Sequence, residues 1–153
     1  MRPCQIRNVR SGCSHGRSIA VQTRLYLEIL IPLGSIKEEV KIVGTLKAKN
    51  ITALFDTGAY RNYIRKQLSD GDTVESIGFD TYEGEHKALL ADGSETKGER
   101  IRFKELVIKD LSEKEPEFIM MENLLEDVII GVHLMQRLRI NPDPLSEKIS
   151  IRK

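Results

Sequence analysis

The sequence contains no hydrophobic run long enough to cross a membrane. Its longest apolar stretch, residues 25–33, is interrupted by Glu28 and Pro32 and falls short of the roughly 18 to 20 residues that a membrane-spanning helix needs. We therefore expect a soluble protein that makes no use of a membrane.

Cysteine is equally scarce. The chain has two, Cys4 and Cys13, and both lie within the first fifteen residues, so they cannot cross-link a core built from later parts of the chain. We expect both thiols to be reduced, which predicts a cytoplasmic protein.

An excess of charge of one sign is also missing. The 24 Lys and Arg residues nearly balance the 23 Asp and Glu residues, and the formal net charge of +1 creates no overall field that would recruit nucleic acid or an anionic membrane. A length of 153 residues with a hydrophobic fraction of 40% provides for about one domain with one core. These quantities exclude a large two-lobed enzyme.

The amino-terminal segment differs from the rest of the chain. The first 24 residues carry five arginines, and the first acidic residue is Glu28. We predict a flexible basic arm over residues 1–23 and a folded domain over residues 24–153. Four interpretations of the arm stay open: a tail or a start codon assigned too far upstream, an organellar presequence, a metal site with Cys4, Cys13 and His15, and a nucleic-acid-binding arm. The metal site is disfavoured because structural zinc needs four ligands, usually in closely spaced pairs.

After residue 24 the dominant period of the apolar residues is two, which is typical of strands with one buried face. The hairpin signal is strongest at Asp92-Gly93, between apolar-polar segments at 86–91 and 95–103. A turn is predicted at Lys49-Asn50 and another at 141–144. The predicted strands outside the hairpin are 25–33, 40–46, 51–55, 106–108, 118–121, 127–130 and 148–151.

Helical patterns are few. Residues 60–68 and 132–138 each have the length and composition for about two turns of helix. About eight short strands with one or two short helices predict an all-β fold, arranged as a barrel or a sandwich.

The segment with the clearest chemistry is Ala53-Leu54-Phe55-Asp56-Thr57-Gly58-Ala59. An apolar strand here delivers a carboxylate into a Thr-Gly turn, where Gly58 permits a tight backbone path and the Thr57 hydroxyl can bond to nearby backbone. Asp-Thr-Gly also occurs by chance in turns, and one carboxylate alone does not hydrolyse peptides.

Three elements of the sequence, in this order, resemble the retropepsin-like aspartic proteases, a family of single-domain enzymes. They are Leu-Phe-Asp-Thr-Gly-Ala at 54–59, the hairpin at 88–98, and Asp-Val-Ile-Ile-Gly-Val-His-Leu-Met at 127–135. In this family the first is the active-site loop, the second lies where the flap is found, and the third leads into the consistent helix. The resemblance implies a closed or partly open barrel of the retropepsin type.

The resemblance also implies a mechanism. Family members act as symmetric homodimers, so Asp56 of each chain would face its twin across the two-fold axis. The pair would share a proton and activate a water molecule for attack on a peptide bond. Thr57 would brace the pair across the dimer, Gly58 would let the substrate backbone approach, and Ala59 would pack beneath. The resemblance implies an aspartic endopeptidase with neither a metal nor another cofactor.

The substrate implied by the resemblance is an extended peptide or protein segment, bound as an added strand between the loop and the flap. Leu89, Leu90, Ala91 and Gly93 are the candidate flap residues for contacts with it. An ordinary exposed hairpin remains the alternative interpretation of these four residues.

The sequence departs from the family pattern at two linked places. In retroviral members an acid just past the loop pairs with an arginine just after the Ile-Ile-Gly step, whereas this chain has Tyr60 and Arg61 at the first place and Val132 and His133 at the second. The usual salt bridge cannot form. His133 is predicted to be a surface or capping histidine rather than a catalytic one, and the same holds for His86.

Two other hypotheses remain beside the peptidase. The first is a non-catalytic, dimeric peptide-binding or scaffolding module with the same fold, although the intact Asp-Thr-Gly argues against simple loss of activity. The second is an unrelated β-barrel binding domain in which the tripeptide occurs by chance.

Overall fold

A computed structural model describes residues 36–89 and 95–153 of the chain. The predicted arm at 1–23, the predicted strand at 25–33 and the hairpin turn at Asp92-Gly93 lie outside these residues. The described residues belong to two compact units, the first with residues 87–89 and 95–96 and the second with residues 36–86 and 97–153. Of the first unit, the structure describes only the end of one strand and the start of the next.

Over the described residues the structure is mostly β, with two short helices. The helices are α1 (Val74–Ile77) and α2 (Val132–Arg137). The strands are β1 (Ile36–Val43), β2 (Ala48–Phe55), β3 (Tyr63–Arg65), β4 (Asp80–Leu89), β5 (Glu95–Arg102), β6 (Glu105–Ile108), β7 (Leu111–Lys114), β8 (Glu117–Met121), β9 (Val128–Ile130), β10 (Ile140–Asp143) and β11 (Lys148–Ile151).

Nine strands form one sheet in the order β4-β5-β8-β3-β9-β2-β1-β6-β7, while β10 and β11 form a separate two-stranded ladder. The outermost strands β4 and β7 do not pair with each other in the described part of the chain. The all-β prediction is confirmed in its coarse form, and closure into a barrel stays a prediction. Neither helix in residues 36–89 and 95–153 has the length and apolar character needed to span a bilayer.

Strand β2 lies inside the sheet, between β1 and β9. It pairs antiparallel with β1 (Ile36 opposite Phe55) and parallel with β9 (Phe55 opposite Ile130). Its last three residues are all buried, as expected of a strand covered on both faces. The chain is therefore rigidly held up to the residue that precedes Asp56.

The core of the larger unit is formed by alternating residues of these strands. Three phenylalanines are almost fully buried, Phe55, Phe103 and Phe118. The rings of Phe103 and Phe118 meet edge to face with centroids 5.4 Å apart, a favoured aromatic geometry.

Three local predictions are wrong. Lys49 and Asn50 lie within β2, opposite Ile42 and Lys41, and the turn is at Gly44 instead. A Cβ on Gly44 would lie 2.2 Å from the carbonyl oxygen of Ile77, so this close backbone approach requires glycine at the turn.

Residues 60–68 contain β3 (Tyr63–Arg65) rather than a helix, because the backbone groups of these three residues bond to β8 and β9. Residues 141–143 belong to β10, and the turn follows them, where Asp143 Oδ1 accepts the N–H of Leu145 at 3.1 Å. Pro142 is tolerated because, among the described strands, β10 has a neighbour on one side only. The short elements α1 and β7 were not predicted.

The start of β2 is tied to the 70–72 turn by charge. The Lys49 ammonium lies 2.5 Å from a carboxylate oxygen of Asp70 and 2.7 Å from one of Asp72. This cation lowers the pKa of both carboxyl groups, and they in turn raise the pKa of Lys49.

Candidate active site

Asp56 is placed by two neighbouring parallel strands. It directly follows β2, and its backbone N–H donates to the carbonyl oxygen of Ile130, the last residue of β9, at 3.0 Å. Both strands are buried where they end. Asp56 itself is half-buried, so a rigid pair of strands presents a partly accessible carboxylate.

The Asp-Thr-Gly segment closes into a tight turn. The N–H of Gly58 donates to Asp56 Oδ1 at 2.8 Å, and the N–H of Ala59 donates to the Asp56 carbonyl at 3.1 Å. Thr57 and Gly58 are exposed, and Ala59 is half-buried. Because the turn's own backbone holds one oxygen of the carboxylate, the side-chain orientation of Asp56 is fixed locally.

Helix α2 holds the outgoing half of the loop. Val132 donates its N–H to the carbonyl of Ala59 at 2.7 Å, and His133 donates its N–H to the carbonyl of Tyr60 at 3.2 Å. The first N–H groups of a helix have no partner within the helix. Here the loop carbonyls satisfy two of them, so the loop and the helix start fix each other.

Gly131, the glycine of the Ile-Ile-Gly step, lies where there is no space for a side chain. A Cβ at this position would lie 2.3 Å from the carbonyl oxygen of Arg61 and 2.6 Å from that of Tyr60. Both neighbours are backbone atoms that cannot move without displacing the loop. Any larger residue would therefore push the chain that follows Asp56 out of place.

Asn62 links the loop to two strands and was missed by the sequence analysis. Its Oδ1 accepts the Gly131 N–H at 3.0 Å, and its Nδ2 donates to the carbonyl of Glu117 at 3.2 Å. Its own carbonyl accepts the N–H of Ile119 at 2.9 Å. The side chain is buried, and no motif in the sequence marks it, because its partners are 55 and 69 residues away.

The positions of the missing acid–arginine pair are occupied by an aromatic contact. The rings of Tyr60 and His133 lie 5.3 Å apart with an interplanar angle of 34°, and the Tyr60 hydroxyl is 3.4 Å from His133 Nδ1. His133 is exposed in the first turn of α2, as predicted. The next loop residue, Arg61, donates instead to Glu117 Oε1 at 3.1 Å.

The flap candidates lie at or beyond the limit of the described residues. Leu89 is the last residue of β4, while Leu90, Ala91 and Gly93 lie outside the described ranges. The predicted arms of the hairpin, 86–91 and 95–103, overlap the adjacent strands β4 and β5 in the described residues. The roles of these four residues stay predictions, as do those of Asp56, Thr57, Gly58 and Ala59.

This mostly β fold carries one Asp-Thr-Gly loop held by an Ile-Ile-Gly strand, which is the combination that the sequence resemblance implied. Comparison with known families agrees with this resemblance: the model of the family described as aspartyl protease matches residues 39–134. The chain belongs to this family.

Several solved structures are similar to this chain, and two of them serve as examples. The retroviral protease-like domain of Ddi1 from Leishmania major has 17% sequence identity and a TM-score of 0.55, over 78% of this chain and 89% of that one. A retropepsin-like aspartic protease from Rickettsia conorii has 19% identity and a TM-score of 0.49, over 72% of this chain and 75% of that one. At such identity the first likeness concerns the fold alone. A search of curated proteins found no significant match.

Proposed function

We propose that the protein is an aspartic endopeptidase that works as a homodimer, with Asp56 of each subunit forming the catalytic pair. The observation that carries this proposal is the anchoring of Asp56, whose backbone N–H bonds to Ile130 and whose Oδ1 accepts the Gly58 N–H at 2.8 Å. A carboxylate held this way keeps one oxygen in a defined direction, as a catalytic pair requires.

The dimer follows from the chemistry. The 153-residue chain contains one Asp-Thr-Gly segment, and an aspartic pair needs two, so a second copy must complete the site. Two carboxyl groups in close contact cannot both ionise readily, and they titrate as one coupled pair.

The reaction then needs no covalent intermediate. The ionised carboxylate takes a proton from water, the resulting oxygen attacks the scissile carbonyl carbon, and the other carboxyl protonates the carbonyl oxygen. Collapse of the tetrahedral intermediate breaks the C–N bond, and the leaving amine receives a proton from the pair. The products are a carboxylic acid and an amine.

The proposed substrate is an extended peptide bound as an added strand, so that main-chain hydrogen bonds hold it while alternate side chains enter pockets. Leu89, Leu90, Ala91 and Gly93 are the proposed contacts from the hairpin. Closure of the sheet into a retropepsin-type barrel, the domain limits 24–153 and a cytoplasmic location belong to the same proposal.

The test is the Asp56→Asn variant, with Asp110→Asn as the matched control, because Asp110 is an exposed aspartate in the turn between β6 and β7. Denatured casein is the substrate, across acidic to neutral pH. We expect the wild type and the control to cleave casein and a pepstatin-like analogue to inhibit both. We expect no cleavage by Asp56→Asn. Persistent cleavage by Asp56→Asn, or a flat profile through alkaline pH, refutes the assignment.

Mixing subunits tests whether the site is shared. In an exchanged equal mixture of wild type and Asp56→Asn, about a quarter of the dimers carry two aspartates, so activity should fall to about a quarter of that of wild type at equal total protein. Independent sites in each subunit would leave about half. Binding of peptide without cleavage by the wild type would favour the non-catalytic module instead.

A further inference from the structure

Glu117, the first residue of β8, contacts two separate parts of the chain. Its Oε1 accepts hydrogen bonds from Arg61 Nη1 and from Arg100 Nε, each at 3.1 Å, and its Oε2 accepts one from Arg100 Nη2 at 3.1 Å. Its carbonyl accepts the Asn62 Nδ2 donor at 3.2 Å. One residue therefore holds two consecutive positions after the Asp56 loop and one position of β5.

The sheet order explains why Glu117 can make these contacts. Strand β8 lies between β5, which carries Arg100, and β3, which begins directly after Asn62. The carboxylate is 29% exposed, so solvent screens it only in part. Its two bonds to Arg100 have the forked geometry in which arginine–carboxylate pairs are strongest.

The negative charge of Glu117 also allows the guanidinium groups of Arg61 and Arg100 to lie close together. Arg61 and Arg100 both donate to the same oxygen, Oε1, so their guanidinium groups lie close to one another. Without the negative charge between them these two cations repel. Removing the charge of Glu117 therefore both weakens an attraction and exposes a repulsion, and both effects push Arg61 away from β5.

A displacement of Arg61 is transmitted toward Asp56 through bonded contacts. The carbonyls of Ala59 and Tyr60 are held by the N–H groups of Val132 and His133. The residue that precedes this helix, Gly131, donates to Asn62 and follows Ile130, which in turn accepts the Asp56 N–H. Segment 56–62 is thus hydrogen-bonded to residues 130–133 along its length, and Glu117 holds the end of the segment that is farthest from Asp56.

We propose that Glu117 is a positioning residue, which holds segment 59–62 against β5 and β8 and thereby sets the position of the loop that carries Asp56. The effect of Glu117 on catalysis rests on the proposed function. The effect of Glu117 on the order of the loop does not depend on the proposed function.

Amide hydrogen exchange on the full chain tests the structural part. Glu117→Gln keeps the shape and one acceptor oxygen but loses the charge. Glu105→Gln is the matched control, because Glu105 also joins a cation and a hydroxyl, Lys114 at 2.6 Å and Ser112, within β6 and β7. We expect faster exchange at 57–62 and 131–133 in Glu117→Gln and no change there in Glu105→Gln. Unchanged exchange in Glu117→Gln overturns the proposal.

Kinetics test the catalytic part. In Glu117→Gln we expect kcat to fall about tenfold with little change in KM, because Asp56 is moved and no substrate contact is removed. The effects of Arg61→Gln and Arg100→Gln on kcat should be non-additive in the wild type and additive in the Glu117→Gln background. Additive effects in both backgrounds refute the coupling. If the wild type cleaves nothing, the proposed function fails, and the exchange experiment still decides the role of Glu117.

Discussion

Replacement of Gly131 by alanine should lower both the free energy of unfolding and the catalytic rate, and a matched control distinguishes the two effects. The new Cβ would lie 2.3 Å from the Arg61 carbonyl oxygen, compared with at least 3.4 Å for an ordinary contact. The loop must therefore retreat by about 1 Å. Such overpacking costs about 1–3 kcal/mol of unfolding free energy, and a 1 Å misplacement of a catalytic group costs about a hundredfold in rate.

Gly44→Ala is the matched control, because its Cβ would meet the carbonyl oxygens of Ile77 and Gly78 at 2.2 and 2.3 Å. Gly44 follows the end of the β1–β2 ladder at which Val43 pairs with Ala48, while Asp56 follows the other end. Eight residues of strand separate the two sites by about 25 Å. The clash is equally severe, but it is remote from the carboxylate.

Urea unfolding and peptidase assays on both variants give the result. We expect similar losses of unfolding free energy, a kcat about a hundredfold lower in Gly131→Ala, and an unchanged kcat per folded molecule in Gly44→Ala. If Gly131→Ala is destabilised as much as Gly44→Ala but retains the wild-type kcat, the argument that Gly131 sets the position of the loop is refuted.

Two further predictions concern stability. Asn62→Leu leaves the buried Gly131 N–H without its acceptor and should cost about 1–3 kcal/mol of unfolding free energy in urea; a loss no larger than that of Asn141→Leu would contradict the role of Asn62. Because Lys49 lowers the pKa of Asp70 and Asp72, its contribution to stability is present above the ordinary aspartate pKa of about 4 and is lost as pH falls through the lowered values. The Tm difference between wild type and Lys49→Met should therefore shrink from pH 6 to pH 3, and a constant difference would contradict this reasoning.

Local chemistry accounts for the parts of the site that the sequence predicted. The apolar run before Asp56 and the apolar run that ends at Gly131 form β2 and β9, as predicted. These two strands could be predicted because a run of apolar residues and the acid or glycine that ends it are visible in a few neighbouring residues. The carboxyl ends of both strands, Phe55 and Ile130, are where the sequence predicts them, although β2 begins at Ala48 rather than at residue 51. The Asp-Thr-Gly turn was predictable for the same reason.

Long-range contacts account for what the sequence did not predict. Residues 60–68 have an acceptable helical composition, but their backbone groups bond to β8 and β9, about sixty residues away, and tertiary pairing overrides a weak local preference. Glu117 and Asn62 stand in no motif, since their importance depends on which strands are adjacent. Sheet order, rather than periodicity, decides both cases.

The contacts around Tyr60 and Arg61 show how the site can depart from the family pattern and still be held. The usual acid–arginine pair would join the loop to the start of the helix through charge. Here Tyr60 meets His133 through its ring, while Arg61 turns to Glu117 on β8. The attachment to α2 is carried by the backbone bonds from Val132 and His133, which do not depend on side-chain identity. The loop can therefore exchange its charged partner on α2 for one on β8, because the backbone bonds and the close approach at Gly131 hold its first half while Glu117 holds Arg61.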